Sequence, residues 1–350
     1  MREQLPFIQT LRAVAAMLVL FDHSPNHLWF FKLGYSGVDC FFILSGFIMV
    51  VSTADQTGAK AFKLFVINRF ARIWPVYAVT SAVMAVAFCF IGTVSSQEAL
   101  TRLVHDLTFQ PAWNSPPINA PGWSLTFEIV FYTLFAVSLL FGRWRYPILL
   151  GTMGTMLLFS GQSARIDGLW GYVALATNPI CGCFVVGVLC GLIYRAKWRG
   201  IPYSIAVCLL ATFSIFTTYL LFFSLREFNH GFMWATAYGG IVLSLTLMEK
   251  HSPVWVPISL VRMGNASFSI YISQWLVIIP FLKYAPQAAD STQLLTLGGV
   301  FLLMVAAVSF LTYRLLEKGL SQWAREQLQR IFLTPGRQPD EASPSIVPAQ

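Results

Sequence analysis

The sequence predicts an all-α fold, a polytopic transmembrane helical bundle of about ten spans, and three observations predict it. Of the 350 residues, 56% are hydrophobic and 11% are charged, where an average soluble domain carries roughly a quarter charged residues. Apolar stretches near or above 18 residues recur along most of the chain, and a helix needs about 20 residues to cross about 30 Å of hydrocarbon. Basic residues fall in short clusters between those stretches, so the net charge of +8 reads as a topology signal and no nucleic-acid partner is expected.

The first apolar segment, 7–28, lacks a small-residue cleavage site and is followed by further spans, so a retained helix is expected rather than a signal peptide. Segments 36–53 and 73–92 come next, joined by "STADQTGAKAFKLFVINRFARIWP", an inner connection with basic residues and helical pieces. An outer connection, 93–122, ends in Pro-rich "PAWNSPPINAPGWS" and leads into 123–141. Segments 146–160, 169–194, 201–223, 232–248, 266–284 and 294–316 complete the ten. With the N-terminus inside, inner connections and termini hold 17 of the 23 Lys and Arg residues, outer ones hold five, and Arg12 lies within a span. The positive-inside rule then places both termini in the cytoplasm.

Residues 1–316 form the expected transmembrane domain. Residues 317–333 read as an amphipathic helix on the inner leaflet with Trp323, Leu328, Ile331 and Phe332 toward lipid, and 334–350 as a tail disordered by composition. All six cysteines fall in apolar segments, which predicts packing roles. The Cys181-x-Cys183 pair has no partnered Cys or His motif, so no metal site is expected.

Several polar residues are costly where they stand. Arg12 and His23 are eleven residues apart, about three turns and about 16 Å of helix rise, so they share one face and can line one cavity. Snorkelling by Arg12 and an interfacial structural role for His23 are the alternatives. His27 at i+4 lacks the third ligand that would make a metal site. "GYSGVDCFFILSGFIM" puts Asp39 and Ser45 near or within a span. "INRFARIWPVY" puts Arg69 and Arg72 on one helical face at the inner edge, an arrangement that suits phosphate and equally serves as a topology signal. "PGWSLTFEIVFY" sinks Glu128 about one turn below the outer interface, a place a carboxylate occupies only with a partner or a job.

Arg12-x10-His23, then "GVDCFFILSGF", "RFARIWPVY" and "GWSLTFEIVFY", in this order, resemble acyltransferase family 3, the bacterial integral-membrane O-acyltransferases, and most of all its members that acetylate exopolysaccharide. "GNASFSIYISQW" and "YRLLEKGL" resemble the family's last two spans. The resemblance implies a ten-helix bundle of the bacterial inner membrane. It would take acetyl (acyl) groups from cytoplasmic acyl-CoA, a donor substrate rather than a resident cofactor, and pass them to a hydroxyl of an extracytoplasmic polysaccharide or lipid-linked sugar. The family's Arg-x10-His motif carries over onto Arg12 and His23, its Arg-x-x-Arg motif onto Arg69 and Arg72, and its Gly-Trp-Ser-x-x-x-Glu motif onto Gly122, Trp123, Ser124 and Glu128. Two departures stand out: Gln274 replaces the His that often precedes the Trp of the ninth span, and too little sequence follows residue 316 for the fused outer esterase-like domain of some relatives.

The chemistry points the same way. Moving an acyl group from a thioester to an alcohol needs a base for the hydroxyl proton, and His23 is the expected one. Asp22, Asp39 or Glu128 could orient the imidazole or the acceptor, and Glu128 is preferred because Asp22 points elsewhere on the helix. Arg12, Arg69 and Arg72 are expected along the donor's path. A proton-coupled exporter or flippase of a glycan precursor is the rival from another class.

Overall fold

In the computed structural model, residues 5–24, 34–111, 115–160, 168–197, 200–223, 231–286 and 290–333 are described. Among them the fold is entirely helical: α1 (Pro6–Asp22), α2 (Gly37–Ser52), α3 (Gly58–Ile91), α4 (Ser96–Thr108), α5 (Gly122–Leu139), α6 (Arg145–Leu158), α7 (Leu169–Ala176), α8 (Cys181–Arg195), α9 (Tyr203–Phe223), α10 (Phe232–Glu249), α11 (Ile258–Asn265), α12 (Ser267–Ser273), α13 (Trp275–Tyr284), α14 (Ser291–Leu311) and α15 (Ser321–Leu333). Local chemistry sets several ends. Pro6 opens α1 where its missing N–H costs nothing. Ser95 and Asp290 accept the N–H groups of Glu98 and Gln293 at the starts of α4 and α14. Gly92, at φ 73°, closes α3 in the left-handed region.

Over the described residues each expected apolar segment is largely helical, but not every one is a full span. Among the described residues six helices are long and apolar enough to cross a membrane, and up to eight if α7 with α8 (bent by 55°) and α11 with α12–α13 (bent by 52°) each count as one. The two short ones are α1, of 17 residues, which stops at Asp22, and α6, of 14. Expected boundaries also give way. The inner connection and the third span are one 34-residue helix, α3, with Pro75 inside it. At 1.5 Å per residue that is about 51 Å, more than the hydrocarbon thickness, and the surplus carries Arg69 and Arg72. Likewise α14 runs through a π-helical stretch, Thr312–Leu320, into α15. The expected amphipathic segment therefore continues the last span and packs along α3, where Gln329 Nε2 donates to Asn68 Oδ1 at 2.9 Å. Trp323, Ile331 and Phe332 are exposed on it and Leu328 is half-buried. Residues 334–350 and His27 lie outside the described residues.

The core is built around α2, whose span is 72% buried, against 17% for α9 and 22% for the long α14–α15 helix, which face outward. Its main partner is α8. A Cβ on Gly187 would lie 2.0 Å from the Ile43 carbonyl oxygen, and one on Gly46 2.3 Å from that of Phe184, so only glycine lets the two backbones come this close. Beside them Phe184 stacks between Phe42 and Phe131, at centroid distances of 4.4 and 4.3 Å. The turn joining α2 to α3 is tied down by Arg145, a residue the sequence reading counts only as a topology charge. Its guanidinium is 6% exposed and donates to the carbonyls of Thr53 (3.2 Å), Gln56 (2.6 Å) and Ala54 (2.6 Å).

Candidate active site

Arg12, His23, Ser45, Arg69, Arg72 and Glu128 border a series of cavities that share lining residues. At one end, spaces of about 500 and 610 Å³ meet at Arg12 of α1 and Arg72 of α3. The larger is bordered by five cations, Arg12, Arg69, Arg72, Lys318 and Arg325, and one carboxylate, Glu317. Arg12 Nε donates to Ser267 Oγ at 3.0 Å, and Glu317 accepts from Ser269 Oγ at 2.6 Å, so α12 holds both. Arg69 lies over the rings of Phe65 and Tyr132, 5.6 and 5.5 Å from the centroids. Arg72 makes no hydrogen bond or ion pair among the described residues. The repulsion among these like charges is strongest between the half-buried Arg12, Arg69 and Arg72, whereas Lys318 and Arg325 are exposed. A polyanion such as a phosphate relieves that repulsion and uses the guanidinium forks. Lys318 and Arg325 were not legible as members of this site, because the packing of the π-helical stretch and α15 along α3 is what brings them there.

Beyond Arg12 and Arg72 the passage narrows to a cavity of about 60 Å³. Here Glu128 has its partners: Ser45 Oγ donates to one carboxylate oxygen and Tyr132 Oη to the other, each at 2.9 Å. Tyr132 stands four residues after Glu128, a helical spacing that the sequence offered as a signal. Ser124 and Tyr271 share a 2.7 Å hydroxyl hydrogen bond and border the same space. The Gly-Trp-Ser-x-x-x-Glu stretch thus has a physical reading. Gly122 fits against Tyr77, whose hydroxyl would lie 1.9 Å from any Cβ there. Ser124 and Glu128 face the narrow cavity, and Trp123 the next one.

That next cavity, about 190 Å³, holds His23 and shares Val38 and Tyr271 with the narrow one. His23 closes the C-terminus of α1, and its Nδ1 lies 2.8 Å from the Val19 carbonyl oxygen. A carbonyl only accepts, so Nδ1 carries the hydrogen and Nε2 of the neutral ring has a lone pair for an incoming proton. The Trp275 ring meets the imidazole edge-on at 5.2 Å. The hydrogen bond that orients the imidazole comes from the Val19 backbone, while Glu128, expected to orient the imidazole or the acceptor, lies in the adjoining cavity with Ser45 and Tyr132. Asp39, an alternative to Glu128, lies among helix contacts. Its carboxylate, fully buried, accepts from the Gly231 N–H at 3.2 Å and the Cys183 thiol at 3.5 Å, tying α2 to α8 and to the start of α10.

Trp123 also borders an outlying cavity of about 80 Å³ beside Asp106. The Asp106 carboxyl accepts the N–H groups of Ile118 (3.3 Å) and Asn119 (3.0 Å), pinning the loop that leads into α5. Burial raises its pKa from 3.8 to about 6, against the pull of the Asn119 and Ile118 hydrogen bonds. Between those two values the folded protein keeps a proton that the unfolded chain has lost, so stability falls as pH rises from about 4 to about 6 and is flat outside that window. The loss is on the order of 2 to 3 kcal/mol. Asp106→Asn is expected to abolish the slope in thermal midpoints taken from pH 4 to 7; an unchanged slope would assign it to another group.

The family described as Acyltransferase domain, acyltransferase family 3, matches residues 5–314. The exopolysaccharide production protein ExoZ of Rhizobium meliloti (strain 1021) is 29% identical over 317 residues, covering 86% of this chain and 95% of that protein. The acyltransferase MdmB of Streptomyces mycarofaciens is 30% identical over 151 residues, 38% of either chain. SACOL0978 of Staphylococcus aureus (strain COL), named as a candidate O-acetyltransferase, is 24% identical over 78% of this chain, which spans half of its length. No solved structure matches.

Proposed function

Because the chain belongs to acyltransferase family 3 and is a multi-pass membrane acyltransferase, we propose that it carries acetyl groups from acetyl-CoA in the cytoplasm to a glycan hydroxyl on the far side of a bacterial plasma membrane. The observation that carries this reading is the line of cavities running from five cations to one imidazole with a free Nε2. Coenzyme A has phosphates at one end and a thioester at the end of a long thin arm, and the cavities present matching chemistry in the same order. Arg69, Arg72, Lys318 and Arg325 take the phosphates, Arg12 stands at the throat, and the thioester reaches His23. His23 Nε2 removes the acceptor's proton, the freed oxygen attacks the thioester carbonyl, and the departing thiolate takes the proton back. Glu128 sets Tyr132 and Ser45 in the wall and offsets the charge of Arg12 and Arg69.

The excess of basic residues on the vestibule side supports a cytoplasmic vestibule and cytoplasmic termini. Residues 1–316 and the 317–333 arm then work as one unit, because the arm supplies two of the vestibule's cations. An exopolysaccharide or its lipid-linked precursor is the acceptor class that the ExoZ relationship favours. Family membership displaces the exporter reading.

The test is transfer of label from acetyl-CoA to glycan in sealed inside-out membrane vesicles. Label confined to water-soluble acetate, with none on glycan, would overturn the proposal. For the vestibule, Arg69→Gln with Arg72→Gln is expected to weaken acetyl-CoA binding about 10- to 100-fold, at about 1.4 kcal/mol per tenfold, with the thermal midpoint little changed. Normal donor affinity in the double variant would remove these arginines from the donor site.

A further inference from the structure

Gln274 stands at the junction of α12 and α13, is fully buried, and neither its Nε2 nor its Oε1 has a hydrogen-bond partner among the described residues. An amide buried without partners costs about 1 to 3 kcal/mol per unmet group, and such orphans in folded proteins ask for an explanation. The one here is location: Gln274 borders the same 190 Å³ cavity as His23. Polar neighbours do not use it. The Tyr271 hydroxyl is engaged with Ser124, and Ser273 donates back to the Ser269 carbonyl at 2.6 Å. Among the described residues the cavity therefore offers an uncommitted acceptor, His23 Nε2, and an uncommitted amide, with room for a group the size of an acetyl and the carbinol that receives it.

We infer that Gln274 is a catalytic residue whose side-chain N–H groups bind the acyl carbonyl oxygen and hold it as an oxyanion while His23 acts as base; this rests on the proposed acetyl transfer at His23. The acceptor O–H gives its proton to His23 Nε2 as its oxygen forms a bond to the carbonyl carbon. The carbonyl π pair moves onto the oxygen that Gln274 holds. Collapse restores the double bond, breaks the C–S bond and releases a thiolate that recovers the proton from the imidazolium. The Gln274 Oε1 accepts from a second hydroxyl of the sugar, so both orphaned atoms are met only when substrates are in place. Donors placed for a charge that develops only in the transition state act on kcat rather than on KM.

The test compares Gln274→Met, close in shape and apolar, and Gln274→His with His23→Ala, measuring kcat and the acetyl-CoA KM for label transfer to glycan in vesicles, and the thermal midpoint in detergent. Gln274→Met is expected to lower kcat about 100- to 1,000-fold, to leave the acetyl-CoA KM within about threefold, and to hold or raise the midpoint, since an unpaired buried amide is being removed. Gln274→His, which keeps an N–H donor, recovers part of the rate. A Met variant with kcat within about threefold of wild type overturns the assignment, and so does a rate loss accompanied by a lowered midpoint, which would make Gln274 structural. Undiminished transfer by His23→Ala would overturn the underlying reading of the site, and this assignment with it.

Discussion

His23→Ala is expected to remove most acyl transfer while leaving the protein folded, inserted and able to bind acetyl-CoA. General-base assistance is typically worth roughly 100- to 10,000-fold in rate, or about 3 to 5 kcal/mol at 1.36 kcal/mol per tenfold. The geometry places that effect at one atom. Nδ1 is committed to the Val19 carbonyl, so the proton must arrive at Nε2. The same bond lets the ring become an imidazolium without turning. His23→Gln is expected to fail equally, because an amide cannot accept the proton, even though it could imitate the hydrogen bond to Val19. Donor binding is unaffected in both, since the cations that hold the phosphates lie in another cavity. If either purified variant transferred acetyl within a few-fold of wild type, His23 would be a helix-capping residue and the base would lie elsewhere.

The largest expected loss of stability is at Arg145. Its guanidinium gathers three carbonyls from the turn between α2 and α3 in a site with little access to water. Hydrogen bonds to a charged group contribute about 1.5 to 3 kcal/mol each, so losing three of them, with water replacing part, costs on the order of 3 to 5 kcal/mol. Arg145→Ala is expected to cost an amount in that range, read as a lower thermal midpoint in detergent and as protease cleavage within residues 53–57. Arg145→Lys is expected to recover only part, because one ammonium cannot span three carbonyls that a planar fork reaches together. Donor affinity falls as a consequence, since α3 carries Arg69 and Arg72 beyond that turn. An alanine variant as stable as wild type would mean that water replaces the guanidinium without cost.

The helices were legible because lipid imposes a length and a polarity on anything that crosses it, and Arg12, Arg69, Arg72 and Glu128 were legible because charge in such segments demands a reason. What escaped depended on the third dimension. Nothing near Asp39 in the chain announces that one of its partners is a backbone N–H 192 residues later, so it stood beside Glu128 as an alternative. Gln274 was noticed only as a departure from a family pattern; its isolation could be seen only once its neighbours were placed. Lys318 and Arg325 looked like one face of a surface helix because the continuity of α14 with α15 depends on packing against α3. The bend before α8, by contrast, had a local signal in Asn178-Pro179, where the Asn178 side chain accepts the Ile180 N–H at 3.0 Å.

The contact between α2 and α8 bears on how the enzyme moves. Where backbone rests on backbone, as Gly187 does on Ile43, there is no rotamer to switch and no methyl group to slide aside. The pair is a stator. Ser45, which holds Glu128, is fixed to it, so one wall of the passage keeps its position through the reaction cycle. Opening for the donor or the acceptor must then come from elements outside this pair, and the bend before α12 and the π-helical stretch that leads into α15 are the joints on which it would turn. Amide exchange would register this as two clocks, slow along α2 and α8 and fast at those joints.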